Sequence, residues 1–418
     1  MTTEILTFRD AVNDARRDYS SNGSSLANLF SVYNDINANY LCSGLDLRMK
    51  KALENSYKDR SFDLMCVQHA YVVFWVYREK DFVKAFEDQH AMAQEFMRHF
   101  QSQGGSFDLP CLYQICRDLR ALARSADTEC AKKQRKPFAM DECARFLNKA
   151  FTACIQHKSS GKESKRWGVY YMIGLVFKTY FEINTLSLCK NILRATGAMK
   201  DLMPLERYPR AHQVTFKYYT GVLAFLDDKF EQSNVDLTYA LQKCPAKHTR
   251  NQELILKHLI PLRLLNGDLP SPTLLDRFPR LHELYQPFVQ ALKTGNVKHF
   301  DEALVRGERR LVESGTYGVV ERVREICLRG LFNKVWLING KQKIVDIAKF
   351  RRALSVSGVV IDSEEVECLL AGMVFKGYMK GYIAHQQQKV VLSDVLSGKA
   401  HPFPSVKSVR STAPQLPL

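Results

Sequence analysis

Four short polar joints of similar form separate helical stretches of this chain and constrain its fold more than any other feature. They occupy residues 77–82, 181–186, 225–230 and, in a looser copy, 294–300. Typically an apolar residue ends one helix, a few mostly polar residues turn the chain, and an apolar residue anchors the next helix. A helical hairpin cannot bury its apolar face alone, so hairpins joined in this way stack on one another. The pattern predicts an α-solenoid of TPR-like repeats, with a helical bundle of accidental similarity as the alternative.

The bulk composition predicts a soluble protein of the cytoplasm or the nucleus. Its 418 residues, 46% of them hydrophobic, can bury a core in two or three domains or in one long array. The eleven cysteines are scattered singly, which is typical of a reduced intracellular protein. The N-terminus has no apolar secretory segment, and the longest apolar runs, 70–77 and 170–177, are too short to span a bilayer. The formal charge of +16 favours polyanions or acidic proteins as partners without locating the contact.

The periodicity changes after about residue 320. Three helical patterns occupy residues 325–338, 343–354 and 360–378. The third begins with Asp362 as N-cap and has Glu365 three residues later, as in a capping box. Two short apolar stretches inside "KGYIAHQQQKVVLS" (380–393) then flank a Gln triplet and predict a β-hairpin. Three helices followed by a two-stranded wing predict a winged helix.

The wing is expected to pack on the third helix through Ile383 and Val391 or their neighbours. Cys327 and Cys368 lie inside apolar helical patterns and are expected in the core. His385, at the turn of the hairpin, is too isolated for acid–base chemistry. The Pro- and Ser-rich residues beyond Phe403 predict disorder. The predicted domains are therefore a helical-repeat domain at 1–320, a winged helix at 321–404 and a disordered tail at 405–418.

No motif in the sequence indicates an enzyme. The chain lacks a Walker-type phosphate loop, a glycine-rich dinucleotide fingerprint, an HExxH zinc motif and a nucleophile elbow. Its eleven histidines are dispersed, without the spacing of metal ligands. The sequence therefore favours a binding protein with no cofactor and no metal.

Basic residues of the winged helix are the candidate site. Residues 322–393 contain twelve Lys or Arg and six Asp or Glu. The third helix begins with Glu364, Glu365 and Glu367, whose carboxylates would repel phosphates in a groove. Contact with a nucleic-acid backbone without base reading is expected instead, and a solvated basic face is the alternative. The candidate residues are Lys341, Lys343, Lys349, Arg352, Lys376, Lys380 and Lys389.

Several stretches resemble a known family. They are residues 165–195, "QVTFKYYTGVLAFLDDKF" (213–230), "GLFNKVWLI" (330–338) and "KGYIAHQQQKVVLS" followed by "PFP" (402–404). A helical array with a C-terminal winged helix resembles a PCI domain, and these stretches are similar to the PCI domain-containing protein two family, the PCI subunit of the nuclear mRNA-export complex. The resemblance covers most of residues 110–404. The insertion-like 394–401 departs from the family pattern.

The resemblance implies a scaffold protein of the nucleus that acts at the nuclear pore. A cytoplasmic location is the alternative that this interpretation also allows. It implies two protein partners, a larger PCI scaffold of the GANP/Sac family and a small, acidic, largely disordered protein shared with the proteasome. It also implies sequence-nonspecific contact with RNA or DNA at Lys341, Lys343, Lys349, Arg352, Lys380 and Lys389, and no membrane insertion. A sister family, the signalosome subunit twelve-like proteins, shares this layout. A purely structural subunit of a signalosome-like, transcription-linked or splicing-linked complex is therefore the alternative.

Overall fold

A computed structural model gives the fold, which is helical with a small antiparallel sheet near the C-terminus. None of its described helices combines the length and the apolar content needed to cross a bilayer. The chain divides into two compact units, Met1–Tyr219 and Thr220–Leu418, with the boundary inside one helix. The structure describes residues 3–34, 40–42, 45–57, 61–157, 161, 163–199, 201–393 and 401–412.

The first unit is built from consecutive helices whose apolar faces form its core. Phe86, Phe96 and Phe100 of one long helix are fully buried. The helices are α1 (Thr3–Arg17), α2 (Ser24–Leu29), α3 (Lys50–Ser56), α4 (Ser61–Phe74, continued by a π-helical turn at Trp75–Glu79), α5 (Phe82–Ser102), α6 (Leu109–Lys132), α7 (Ala139–Ile155), α8 (Val169–Glu182), α9 (Leu186–Gly197) and the first part of α10 (Arg210–Leu226).

The second unit consists of helical hairpins followed by a small C-terminal module of helices and strands. Phe288 and Phe300, on neighbouring helices, pack edge to face with ring centroids 5.0 Å apart. The elements are α11 (Phe230–Lys243), α12 (Thr249–Leu265), α13 (Pro272–Asp276), α14 (Pro279–Thr294), α15 (Val297–Glu313), α16 (Tyr317–Ile338), β1 (Ile344–Asp346), α17 (Ile347–Val356), α18 (Ser363–Phe375), β2 (Gly381–Ala384), β3 (Lys389–Leu392) and α19 (Val406–Thr412).

The four predicted joints share one backbone feature. Each contains a residue with positive φ: Lys80 at 58°, Asn184 at 55°, Asp228 at 56° and Gly295 at 74°. A left-handed residue ends a helix by turning the chain away from the helix axis. In two joints the next side chain also caps the following helix: Asp81 accepts the Lys84 N–H at 3.0 Å, and Asn296 accepts the His299 N–H at 2.9 Å. The predicted helical-repeat organisation is confirmed.

The C-terminal module is a winged helix with a three-stranded sheet rather than a two-stranded wing. The strand order is β1, β3, β2, and both pairings are antiparallel. The predicted helix at 343–354 begins only at Ile347, because the three residues before it pair with β3. Val345 is 1% exposed between two exposed neighbours, Ile344 and Asp346, as alternation along a strand requires.

The chain after the sheet is partly helical, contrary to the disorder predicted beyond Phe403. Phe403 is buried beside Trp336, with ring centroids 6.1 Å apart. Arg329 donates to the carbonyls of Phe403 and Pro404, at 3.1 and 2.6 Å. Helix α19 follows, with Val406 buried. Residues 394–400 and 413–418 lie outside the described part, and the domain boundaries at 320 and 404 stay a prediction.

Candidate nucleic-acid interface

The sheet of the winged helix has one buried face and one open face. Val345, Val390 and Leu392 point into the core and are at most 1% exposed. Ile383 lies opposite Val390 and so shares this inner face. Val391 lies opposite Tyr382 on the other face, so of the two residues named in the prediction only Ile383 lies on the inner face, together with Val390, the neighbour of Val391. Strand alternation assigns each residue to one face of the sheet. A shift of one residue in the pairing of a strand would move its inner residues to the outer face.

Lys341 and Lys343 lie in the turn between α16 and β1. Lys341 has a φ of 58°, and its N–H donates to the Trp336 carbonyl at 3.0 Å, which ends α16. The carbonyl of Lys343 accepts the Leu392 N–H at 2.7 Å, so this turn is fixed against β3. Both side chains are exposed. The backbone therefore holds two cations beside the sheet while their ammonium groups stay in solvent.

Lys349 and Arg352 lie three residues apart on the exposed side of α17. The ammonium of Lys349 donates to the Asn339 side-chain oxygen, which places the start of α17 beside the turn that carries Lys341. The structure thus brings Lys341, Lys343 and Lys349 to one region at the α16–β1 turn.

The remaining three predicted cations differ in availability. Lys376, at the end of α18, is ion-paired with Glu325. Lys380 precedes β2, where its N–H donates to the Pro402 carbonyl at 2.7 Å and its carbonyl accepts the Ser393 N–H at 2.9 Å. Lys389 begins β3, opposite Ala384 on one side and Asp346 on the other. Within the described residues, no ion pair engages Lys341, Lys343, Arg352, Lys380 or Lys389.

The third helix, α18, has an acidic first turn. The predicted capping box is confirmed: Asp362 accepts the Glu365 N–H at 2.8 Å, and Glu365 accepts the Asp362 N–H at 3.3 Å. Glu367 accepts from His385 Nδ1 at 2.8 Å and so ties the helix to the turn of the wing. His385 is exposed, and its contact with Glu367 shows that it is less isolated than the sequence indicated. Phe375, near the other end of the helix, is 81% exposed.

The two cysteines of the module differ. Burial raises the pKa of the Cys327 thiol to about 12, so it stays protonated, and its S–H contacts the Ala291 carbonyl at 3.3 Å. Cys368 is exposed on α18, so the prediction that it belongs to the core is wrong. Helical spacing places it on the same outer side as Glu364 and Phe375.

Two residues of this surface were missed from sequence. Tyr382 is 63% exposed and Ile344 is 51% exposed, and both lie on the open face of the sheet. Alternation along β2 was a signal that could have assigned Tyr382 to the outer face. The position of Ile344 on the same face could be predicted only by recognising β1 as a strand. No group of three or more His, Cys, Asp or Glu in the described part of the chain is arranged to hold a metal ion.

Comparison with known proteins identifies the module. The PCI domain family matches residues 299–394, which include the whole sheet and helices α17 and α18. Proteins with this domain are in general non-catalytic scaffold subunits, and no enzyme family is indicated.

Relatives match over most of the chain. A protein named CSN12 homolog from Schizosaccharomyces pombe is 36% identical, over 82% of this chain and 84% of its own length. A CSN12 homolog from Mycosarcoma maydis is 35% identical, over 96% and 98%. PCI domain-containing protein 2 from Xenopus laevis is 32% identical, over 79% and 81%. With its winged helix and this extent of similarity, the chain belongs to the PCI-domain scaffold family that includes the CSN12 homologs and PCI domain-containing protein 2.

Proposed function

We propose that this chain is a non-catalytic PCI scaffold subunit of a nuclear mRNA-export complex, and that its winged helix contacts RNA or DNA through backbone phosphates. The observation that carries the nucleic-acid role is a set of five cations without a described acidic ion-pair partner: Lys341, Lys343, Arg352 and Lys380 are exposed, and Lys389 is half-buried. Lys349 adds to this set beside Asn339, whereas Lys376 contributes least because Glu325 neutralises it.

The proposed partners are two proteins and a nucleic acid. A larger PCI scaffold of the GANP/Sac family would pair with this subunit, and a small, acidic, disordered protein would bind alongside. The excess of Lys and Arg over Asp and Glu, 60 against 44, suits an acidic polypeptide as well as nucleic acid. The complex would act at the nuclear pore, so a fluorescent fusion of the chain is expected to concentrate at the nuclear rim. Exclusion of the fusion from the nucleus would contradict this location.

Charge reversal tests the nucleic-acid contact. The double variant Lys343→Glu with Lys389→Glu is titrated with labelled RNA at several salt concentrations. Each lost phosphate contact lowers the slope of log K against log salt by about 0.7 to 0.9. Lys247→Glu with Arg250→Glu is the matched control, since it makes the same change in charge at exposed positions outside the PCI match. Equal affinities and slopes for the two variants would rule out the proposed contact.

A structural subunit without a nucleic-acid role is the second candidate function. It is favoured by the somewhat higher identity to proteins named CSN12 homolog, 35% and 36%, than to PCI domain-containing protein 2, 32%. Affinity purification of the tagged chain followed by mass spectrometry separates the two. Recovery of the export scaffold supports the first proposal, and recovery of signalosome or splicing subunits in its place supports the second.

A further inference from the structure

An apolar row crosses the open face of the sheet. Ile344 lies opposite Val391, and Val391 lies opposite Tyr382, so one residue of each strand contributes to the row. Both end members are more than half exposed, while Val391 in the middle is half-buried. The core of the module is already supplied by Val345, Val390 and Leu392 on the other face. The two end members of the row contribute little to that core, and exposed apolar groups gathered in one place indicate a binding surface.

Two lysines share this face with the row. Alternation along β2 places Lys380 on the same side as Tyr382, and alternation along β3 places Lys389 on the same side as Val391. In the ladder, Lys380 aligns with Ser393 and Lys389 with Ala384, so the two lysines lie about four residues apart, or about 13 Å. This separation is longer than the spacing of neighbouring phosphates in an extended strand. Tyr382 lies between the two lysines along the sheet, so its ring has a position that attracts phosphate on either side.

The net charge of this face is positive. Asp346 lies opposite Lys389 and offsets part of its charge, but Ser393, opposite Lys380, is neutral. Lys343, just before β1, is exposed but alternates to the side of Val345, so it does not belong to this face. An exposed aromatic ring between cations matches a single strand, whose bases offer free flat faces for stacking while its phosphates lie alongside.

A duplex fits this module less well. In a duplex the flat faces of the bases are stacked on one another, so only their edges and the phosphates are accessible. The helix that would enter a groove, α18, has Glu364, Glu365 and Glu367 in its first turns, and these repel phosphate. The sheet, with an aromatic ring and without outward carboxylates other than Asp346, is the more suitable contact surface.

We propose that the open sheet face binds single-stranded nucleic acid, with a base stacked on Tyr382 and backbone phosphates held by Lys380 and Lys389. This inference rests on the proposed nucleic-acid role and specifies its substrate class: single strands in preference to duplex. Val391 and Ile344 extend the platform beside the ring and exclude water from the stacked base.

Substitution of Tyr382 tests the stacking. The full chain and its variants Tyr382→Ala and Tyr382→Phe are titrated with an oligouridylate of about 16 nucleotides and with a duplex of equal length. Base stacking on an aromatic residue corresponds to a loss of about five- to 150-fold in single-strand affinity on substitution with Ala. Tyr382→Phe keeps the ring and is expected to keep the affinity. Duplex affinity is expected to be weaker in the wild type and unchanged in both variants.

Salt dependence separates the ring from the lysines. Lys380→Gln and Lys389→Gln are each expected to lower the salt slope for the oligouridylate by about 0.7, whereas Tyr382→Ala leaves the slope unchanged because stacking releases no counterions. An unchanged single-strand affinity in Tyr382→Ala, or an equal loss for single strand and duplex, overturns the inference while leaving a general phosphate contact intact. Absence of binding to either nucleic acid by the wild type overturns the proposed nucleic-acid role as well.

The main competing occupant of this face is a protein partner. If Tyr382→Ala releases a subunit that co-purifies with the wild-type chain and leaves oligouridylate affinity unchanged, the row is a protein-docking surface and the inference is wrong. Circular dichroism of each variant is expected to match the wild type, because the ring of Tyr382 is mostly in solvent.

Discussion

The ring of Phe332 packs edge to face on that of Phe350, with centroids 5.3 Å apart and planes at 82°. Phe332 belongs to α16 and Phe350 to α17, and both are fully buried. The pair joins the long helix that enters the winged helix to the first short helix after β1. The candidate surface therefore depends on this contact, because Lys349 and Arg352 lie on either side of Phe350 along α17.

Phe350→Ala is expected to lower the free energy of unfolding of the winged helix by about 3 to 5 kcal/mol, because it removes a buried ring and leaves a cavity. Urea unfolding followed by circular dichroism measures the loss. Phe375→Ala is the matched control: the same substitution in the same module, at a side chain that is 81% exposed, is expected to change stability by less than about 0.5 kcal/mol. Similar losses in both variants would contradict the packing described.

The capping box of α18 gives a second stability prediction. Asp362→Ala removes the acceptor of the Glu365 N–H and is expected to cost about 1 kcal/mol of unfolding free energy. Asp362→Asn keeps an oxygen at this position and is expected to retain most of the stability. Thermal unfolding of the three proteins tests the ranking. Equal losses in Asp362→Asn and Asp362→Ala would show that charge, and not the hydrogen bond, matters at this cap.

Features carried by local sequence were predictable. The capping box requires only Asp362 and Glu365 three positions apart, and the joints require a polar residue that tolerates a left-handed turn, as at Asn184 and Asp228. The helices between them follow from apolar periodicity, which reports the buried face directly. The helical-repeat fold and the winged helix were accordingly recognisable without a structure.

Features that depend on distant residues were not predictable. Strand β1 has three residues, too few to show alternation, and it exists because Val391, far along the chain, pairs with Ile344. Without β1, neither the open face of the sheet nor the apolar row of Ile344, Val391 and Tyr382 can be recognised from the sequence. Cys368 was misplaced for a similar reason: its apolar neighbours suggested a buried helix, while the side that faces solvent is set by the packing of Val366 and Leu370.

A buried histidine in the first unit predicts acid sensitivity. His69 is fully buried and stacked on Phe8, with ring centroids 5.4 Å apart. Burial lowers its pKa to about 3, whereas in the unfolded chain the imidazole titrates near its ordinary 6.5. Between these values the unfolded state binds more protons, so the stability present above pH 6.5 is lost as the pH falls towards 3.

His69→Leu removes this titration. The free energy of unfolding of the wild type is expected to fall as the pH is lowered from 7.5 to about 4.5. The free energy of the variant is expected to fall less steeply, by up to roughly 1.4 kcal/mol per pH unit below 6.5. Urea unfolding at several pH values provides the comparison. Parallel pH profiles for the two proteins would show that His69 does not gain a proton on unfolding.

Thiol accessibility tests the orientation of α18. Among the cysteines that the structure describes, Cys368 is exposed, Cys42 is partly exposed and the others are buried. A maleimide applied to the native protein is therefore expected to label Cys368 first and Cys42 more slowly, and Cys368→Ser is expected to remove the fast phase. Cys327→Ser is the control, since that thiol is buried and its raised pKa keeps it unreactive. Peptide mapping by mass spectrometry identifies the labelled residue. Labelling of Cys368 as slow as that of the buried Cys327 would mean that α18 presents its other side to solvent, contrary to the orientation described.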